Sequence, residues 1–425
     1  MTAQPTPPAT PHTDRVRRRR PADRRDVILR SAAKAFSANG YHAVRLDDIA
    51  DAAGVSAPAL YRHFPNKYAL FSETARNLAD ALADATGSIP HDPDHPEIEL
   101  RGLLAALTGA SIDNRRTGGL YHWEADYLHT DDAQYVRDIV IAQHRRIRAA
   151  LRRARPRLDA ESADLITAAM TSVVASPATH RAALPARQIS DLITGAAMSL
   201  SDANLPTRPE ADTAPPPTGL SPTSKREVLL TEAMKLFAAQ SFREVTIDDI
   251  ARAADLPSSG VYRHFESKAA ILQAAFWRTS DRVTALIADA LSSSSTPREA
   301  IVALVTRYVD LCCTNTAMLS VYVSEIGNVA PAQRTELRNQ QRINVEEWAA
   351  WLTRERPELT AVAARFLVQA ALNVTIDLTR LSRRPTPERI SALGLRLLLG
   401  SADSAGADSA GADSAGGSDR VEIGE

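Results

Sequence analysis

The stretch Asp47–Lys67, DDIADAAGVSAPALYRHFPNK, is written again at Asp248–Lys268 as DDIARAADLPSSGVYRHFESK, in register at an offset of 201 residues. The correspondence runs back to Arg25/Arg226 and Phe36/Phe237, and about twenty of 48 aligned positions are identical. A repeat of this length is domain-sized and too long for a solenoid unit. One domain is therefore present in two fused copies.

In the first copy, Leu46, Ile49, Ala50 and Ala53 fall at helical spacing and give a short helix one apolar face. Gly54 breaks it, and Val55 turns back toward the core. Ser56 is a favoured N-cap and Pro58 is tolerated in a first turn, which predicts a second short helix from Ala57 to about Phe64. Upstream, Ile28, Ala32, Ala35 and Phe36 form the stripe of a first helix that Asn39-Gly40 stops. Two short helices about a tight turn make a helix-turn-helix, whose second helix can enter the major groove of DNA.

The segments FSANGYHAVRLDDIADAAGVSAPALYRHFPNK and FAAQSFREVTIDDIARAADLPSSGVYRHFESK resemble the DNA-binding head of TetR-type transcriptional regulators, on the spacing of Phe36, Gly40, Ile49, Tyr61, Phe64 and Lys67. The resemblance covers about 50 residues per copy. The doubled arrangement is similar to tandem TetR regulators of actinobacteria, some of which govern lipid uptake. It implies an all-α fold of two tandem units, each a helix-turn-helix head plus a helical ligand and dimerisation body. It further implies a sequence-specific DNA-binding regulator, a ligand-responsive repressor released by a small hydrophobic, lipid-derived inducer. Operator DNA is the expected partner; no enzyme activity and no cofactor are expected. The alternatives are an activator or architectural factor without a small ligand, and a second copy that serves as an interaction module.

Composition sets the frame. The net charge of −1 conceals a gradient. Arg15–Phe71 holds twelve Lys/Arg against five Asp/Glu, whereas Lys225–Leu272 holds seven of each. The first head is basic and the second neutral. Cys312 and Cys313, the only cysteines, are sequence neighbours and offer no disulfide framework, in keeping with a reducing cytoplasm. No apolar run long enough to span a bilayer is expected, and no apolar segment follows the N-terminal charges as a secretory signal requires.

Domain boundaries follow from these shifts. We expect a disordered basic arm at 1–20, head one at 21–81, body one at 82–200 and a Pro-rich linker at 201–223. Head two is then expected at 224–283, body two at 284–400 and an acidic low-complexity tail with three ADSAG units at 401–425. The linker reaches about 25–30 Å when coiled, which permits an intramolecular pseudo-dimer in which helices 159–200 pack on 358–399. Pairing between chains, as a homodimer, is the alternative.

The candidate DNA-binding residues fall in three groups. Arg17, Arg18, Arg19 and Arg20 form a flexible cationic arm suited to phosphates or the minor groove. Ser56, Ala57, Pro58 and Ala59, with Ser258, Ser259 and Gly260, are small enough to bring a helix backbone close to base edges. By resemblance to the family, Tyr61/Tyr262 and His63/His264 touch phosphates or groove edges, and Lys67/Lys268 reaches a phosphate. Arg62 and Arg263 add charge. Thr246 and Asp249 predict a capping box, and Arg45 stands at the Thr246 position as a phosphate-directed cation. Pro257 for Ser56 and Asp255 for Gly54 imply that the heads prefer unlike half-sites.

For the inducer, the apolar and aromatic segment around Trp123 and Tyr127, with Tyr322 in the second copy, is the candidate pocket lining. Ordinary core packing is the competing reading of those aromatics. His91, Asp92, Asp94 and His95 lie in a Pro-broken loop that lacks a supporting metal-ligand set. No phosphate-cradling loop or nucleophile elbow is present in the sequence.

Overall fold

A computed structural model of the chain describes residues 21–42, 44–115, 127–180, 182–207 and 223–400. Among the described residues every regular element is a helix. The N-terminal arm, the greater part of the linker and the acidic tail lie outside them.

The first copy comprises α1 (Pro21–Asn39), α2 (Leu46–Ala53), α3 (Ala57–His63), α4 (Lys67–Gly87), α5 (Pro96–Asp113), α6 (Thr130–Ala154), α7 (Ala160–Ala175) and α8 (Ala186–Ser199). The second comprises α9 (Lys225–Glu244), α10 (Ile247–Ala253), α11 (Ser258–Tyr262), α12 (Lys268–Ser292), α13 (Pro297–Thr314), α14 (Thr316–Glu325), α15 (Pro331–Glu355), α16 (Ala361–Thr379) and α17 (Pro387–Leu399). The starts of α2 through α8 recur 201 residues later in α10, α11, α12, α13, α15, α16 and α17. The repeat thus extends through both bodies, where sequence identity has faded.

Capping accounts for many of the boundaries. Asn66 and Ser267 accept from Ala69 N and Ala270 N at the starts of α4 and α12. Asp159, Thr296 and Thr360 do the same for α7, α13 and α16. Each such cap satisfies an otherwise orphaned N–H.

Three apolar cores result. Ile28, Phe36, Ile49, Leu60, Phe64 and Phe71 close head one. Leu229, Phe237, Ile250, Val261, Phe265 and Phe276 close head two. A single third core serves both bodies, joining Leu103, Ile166 and Met170 of the first copy to Leu304, Phe366 and Val374 of the second. The α4 stripe bridges two of these cores: Leu70, Phe71 and Leu78 belong to the head, while Leu82 packs on the bodies.

The seam between bodies is α7 and α8 against α16 and α17, as expected for a pseudo-dimer. Its rim is polar. Ser172 Oγ donates to Asp377 Oδ2 at 2.6 Å. The buried Arg389 donates to Glu161 Oε1 at 2.8 Å and to Ser162 Oγ at 2.7 Å. Body one adds Arg115, 5.1 Å over the Phe366 ring, and His180, edge-on to the same ring at 4.5 Å. Burial, then the Arg115 charge, pushes the His180 imidazole down to about 3.

Helix α16 is long and apolar enough to cross a membrane by length and composition. Its apolar faces are taken up by α7, α15 and α17, which makes it the central strut of the shared core. Cys312 and Cys313 are unpaired.

Candidate nucleic-acid interface

In head one, α2 ends at Gly54, whose φ of 66° places it in the left-handed region. Val55 N then donates to Ala50 O at 3.0 Å, which closes the helix end and aims the chain into α3. Ile49, Leu60 and Phe64 anchor the two helices from below. What α3 leaves outward is Pro58, Tyr61 and Arg62, with Tyr61 50% exposed. Ser56 occupies the N-cap position, but its side chain makes no capping bond. Ala59 is buried and is not presented at the surface of α3.

Head two keeps the plan with different chemistry. The Thr246–Asp249 capping box is formed in both directions, at 3.1 Å and 2.9 Å. Hydrogen bonds from Thr246, then Arg252, hold the Asp249 carboxyl below its usual range. The Thr246 hydroxyl therefore serves the helix end and is not presented as a DNA contact. Asp255 takes the left-handed position of Gly54, at φ 52°. The second reading helix, α11, is only five residues long, ending at Tyr262 rather than near Phe265 as its spacing predicts. Pro257 at its N-cap brings no side-chain acceptor, and Gly260 at its centre is a weak helix former. Ser258 Oγ donates to Asp248, while Ser259, Tyr262, Arg263 and His264 remain exposed.

Both lysines depart from the role expected of them. Lys67 Nζ donates to His42 O at 3.0 Å and lies over the Tyr41 ring at 4.9 Å. Lys268 Nζ donates to Arg243 O and Val245 O at 3.2 and 2.6 Å, over the Phe242 ring at 4.6 Å. Each ammonium ties down the turn before the helix-turn-helix instead of reaching outward. His63 is half-buried, and its carbonyl accepts from Arg25. Arg25 itself stacks over Phe64 and pairs with Glu73, as Arg226 stacks over Phe265. Arg45 is exposed, with Asp47 3.5 Å away. Arg17, Arg18, Arg19 and Arg20 lie outside the described residues.

The two turns also meet electrostatically. Burial, then the charges of Arg243 and Lys67, pushes the His42 imidazole down to about 4. Arg243, whose charge contributes to this shift, is the repeat-mate of His42.

The pocket candidates resolve differently from expectation. Trp123 lies outside the described residues. Tyr127 stacks on Tyr41 at 5.9 Å and stands edge-on to His42 at 4.6 Å. Tyr322 stands edge-on to Phe276 at 5.0 Å, packed against the second head's core. Both aromatics join body to head, and neither lines the open groove of about 540 Å³ found at Arg155–Asp159 and Ala203–Leu205. Sequence reasoning also missed Glu325. This buried residue of α14 accepts from Phe242 N at 3.0 Å and from Asn328 at 2.6 Å, pinning the second head's turn to its body. His91 and the buried Glu99 pair at 3.1 Å, and Arg153 joins Glu99 at 2.5 Å.

Comparison with known proteins agrees with this geometry. The family model described as bacterial regulatory proteins, tetR family, matches residues 28–74 and 229–275, one match per head. The repressor KstR2 of Mycolicibacterium smegmatis is 37% identical over 108 residues, 25% of this chain and 53% of that protein. The activator FasR of the same organism is 43% identical over 106 residues, 25% and 48% respectively. The chain thus spans about half the length of these curated relatives. The solved structure of the ketosteroid transcriptional regulator KstR2 of Mycobacterium tuberculosis aligns with a TM-score of 0.37 and 23% identity, over 42% of this chain and 95% of that one. With an outward Tyr–Arg pair at each reading helix and a family match on each head, the chain carries the N-terminal domain of the tetR family of bacterial regulatory proteins twice, in tandem.

Proposed function

We propose that the protein is a sequence-specific transcriptional regulator that grips one operator with both heads, acting in the cytoplasm on the nucleoid. The observation that carries this reading is the mounting of two helix-turn-helix heads, each with an exposed Tyr–Arg pair at its reading helix, on one shared body core. Half-sites are unlike, because Ala57-Pro58-Ala59 and Ser258-Ser259-Gly260 offer different surfaces to base edges. Release by a small hydrophobic, lipid-derived inducer completes the reading, with repression as the default. The names of the relatives include a repressor and an activator, so the direction of regulation is measured rather than assumed.

Selection of bound duplexes from a random pool tests this directly. An enriched asymmetric site of two dissimilar halves is expected. Enrichment of a perfect inverted repeat defeats the unlike-half-site reading, and absence of any preferred duplex defeats the regulator reading altogether. Fatty acids of graded chain length, added to the bound complex, test release.

A second reading has its own support. The five-residue α11, the Ser258–Asp248 tie and the neutral charge of head two suit an interaction module better than a reader. Tyr262→Ala with Arg263→Ala discriminates between them. Unchanged operator affinity assigns head two to partner binding.

A further inference from the structure

Between residues 145 and 157 the first copy carries seven arginines and no acidic residue. The repeat-equivalent stretch, 346–358, carries four glutamates and two arginines. Three positions are outright inversions: Arg145/Glu346, Arg146/Glu347 and Arg157/Glu358. Four of the seven arginines are engaged inside the fold. Arg146 donates to Thr86 O and Ile89 O, Arg148 pairs with Asp164, and Arg153 pairs with Glu99. Arg155 donates to Ser201 O and Ala203 O. Arg145, Arg152 and Arg157 are exposed and have no acidic partner among the described residues. Arg157 also borders the groove of about 540 Å³, whose apolar wall includes Leu158 and Leu205.

This cationic face lies at the end of the molecule remote from the heads. Helix α6 begins against head one, where Asp132 accepts from Tyr68 and from Arg76. Its 25 residues extend about 37 Å before reaching Arg155. Helix α15 likewise begins against head two through Leu337 and ends at Arg356, which donates to Leu398 O at 3.0 Å. The described chain therefore ends, at Gly400, at that same remote end. There Arg396 donates to Ser199 O at 3.0 Å and lies 3.9 Å from Asp202, directly before the groove residue Ala203.

Residues 401–425 continue from this point with Asp403, Asp408, Asp413, Asp419, Glu422 and Glu425 against a single Arg420, a net charge of −5. The cationic surfaces that compete for them include the arginines of 15–25 before head one, Arg380, Arg383 and Arg384 after α16, and the α6 face. A 25-residue coil has a root-mean-square reach of about 25–30 Å. A span of that order reaches from Gly400 to Asp202 and Ala203, beside Arg396, and is shorter than the length of α6 that separates this end from head one. We infer that residues 401–425 dock on the face formed by Arg145 and Arg152 of α6 with Arg157 just beyond its end, at the groove of Arg155–Leu158. Val421 and Ile423, flanking Glu422, are the apolar side chains available to its Leu158–Leu205 wall.

Nuclear magnetic resonance on the isotopically labelled full chain tests this through the Ala and Gly amides of 401–425. At about 0.05 M salt these signals are expected to be broadened. Near 1 M, where the screening length shrinks to about 3 Å, they sharpen. The triple substitution Arg145→Gln, Arg152→Gln, Arg157→Gln sharpens them at low salt, with core chemical shifts reporting an intact fold. Sharp signals from the unsubstituted chain at low salt overturn the docking. Sharpening on deletion of residues 1–20, with no response to the triple substitution, overturns it too and reassigns the tail to the N-terminal arm.

Discussion

Ser241 and Asp255 hold positive φ angles at the positions where the first head has Gly40 and Gly54. Ser241 has φ 69° and ψ 157°, a region populated almost entirely by glycine, and costs about 1–3 kcal/mol. Ser241→Gly should stabilise head two by about 1 kcal/mol, the relief being partly offset by the freer unfolded chain. Chemical denaturation followed at Trp277, which packs on that head, measures the gain. The reverse change, Gly40→Ser, should cost head one a similar amount. His180 gives a residue-scale prediction in pH. Its ring stays neutral in the folded chain down to about 3, whereas the unfolded chain binds a proton as pH falls through about 6.5. Stability is therefore undiminished by this group above about pH 6.5 and is lost progressively as pH falls toward 3. His180→Phe should flatten that part of the stability profile, and an unchanged slope would remove His180 as its source.

At the scale of elements, the helices of head one were legible because apolar spacing and turn residues coincide, as at Leu46, Ile49 and Gly54. The capping box at Thr246 was legible for the same reason: all its atoms lie within four residues. The brevity of α11 was not, because Val261 and Phe265 keep the helical spacing of α3 while Gly260 and Pro257 weaken the backbone between them. A Cβ added at Gly260 would meet Pro257 and Leu256 at 3.5–3.6 Å, an ordinary approach. Gly260→Ala should therefore extend α11 and stabilise head two by up to about 1 kcal/mol, visible as slowed amide exchange across 258–264. Tyr127 and Tyr322 misled for a different reason. An aromatic beside an apolar run has the same pattern whether it faces a cavity or a neighbouring domain, and only the fold shows them against the heads. Glu325 left no local signal, since its partner Phe242 is 83 residues away. Glu325→Ala strands that N–H and should cost head two about 1–3 kcal/mol, with faster exchange at 241–245. Unaltered exchange there would separate Glu325 from the turn.

For the whole molecule, the shared body core makes the copies thermodynamically inseparable. Phe366 is fully buried there and touched by Arg115 and His180 of the other copy. Phe366→Ala should cost about 3–5 kcal/mol and lower a single calorimetric transition for both bodies, not one of two. Mass in solution should correspond to one chain, because the surface that family members are expected to use for pairing is closed within the polypeptide. Charge asymmetry adds a prediction at this scale. Deleting residues 1–20 should flatten the dependence of operator affinity on salt, by roughly 0.9 in logarithmic slope for every phosphate that the arm neutralises.

Because α7 and α8 find their counterparts α16 and α17 on the same translated polypeptide, assembly needs no second collision. If the chain binds an operator as proposed, occupancy should rise with the first power of copy number rather than its square, so that a handful of molecules would keep a site filled. The same tether frees each reader to drift independently, since a substitution in one is never duplicated across the duplex.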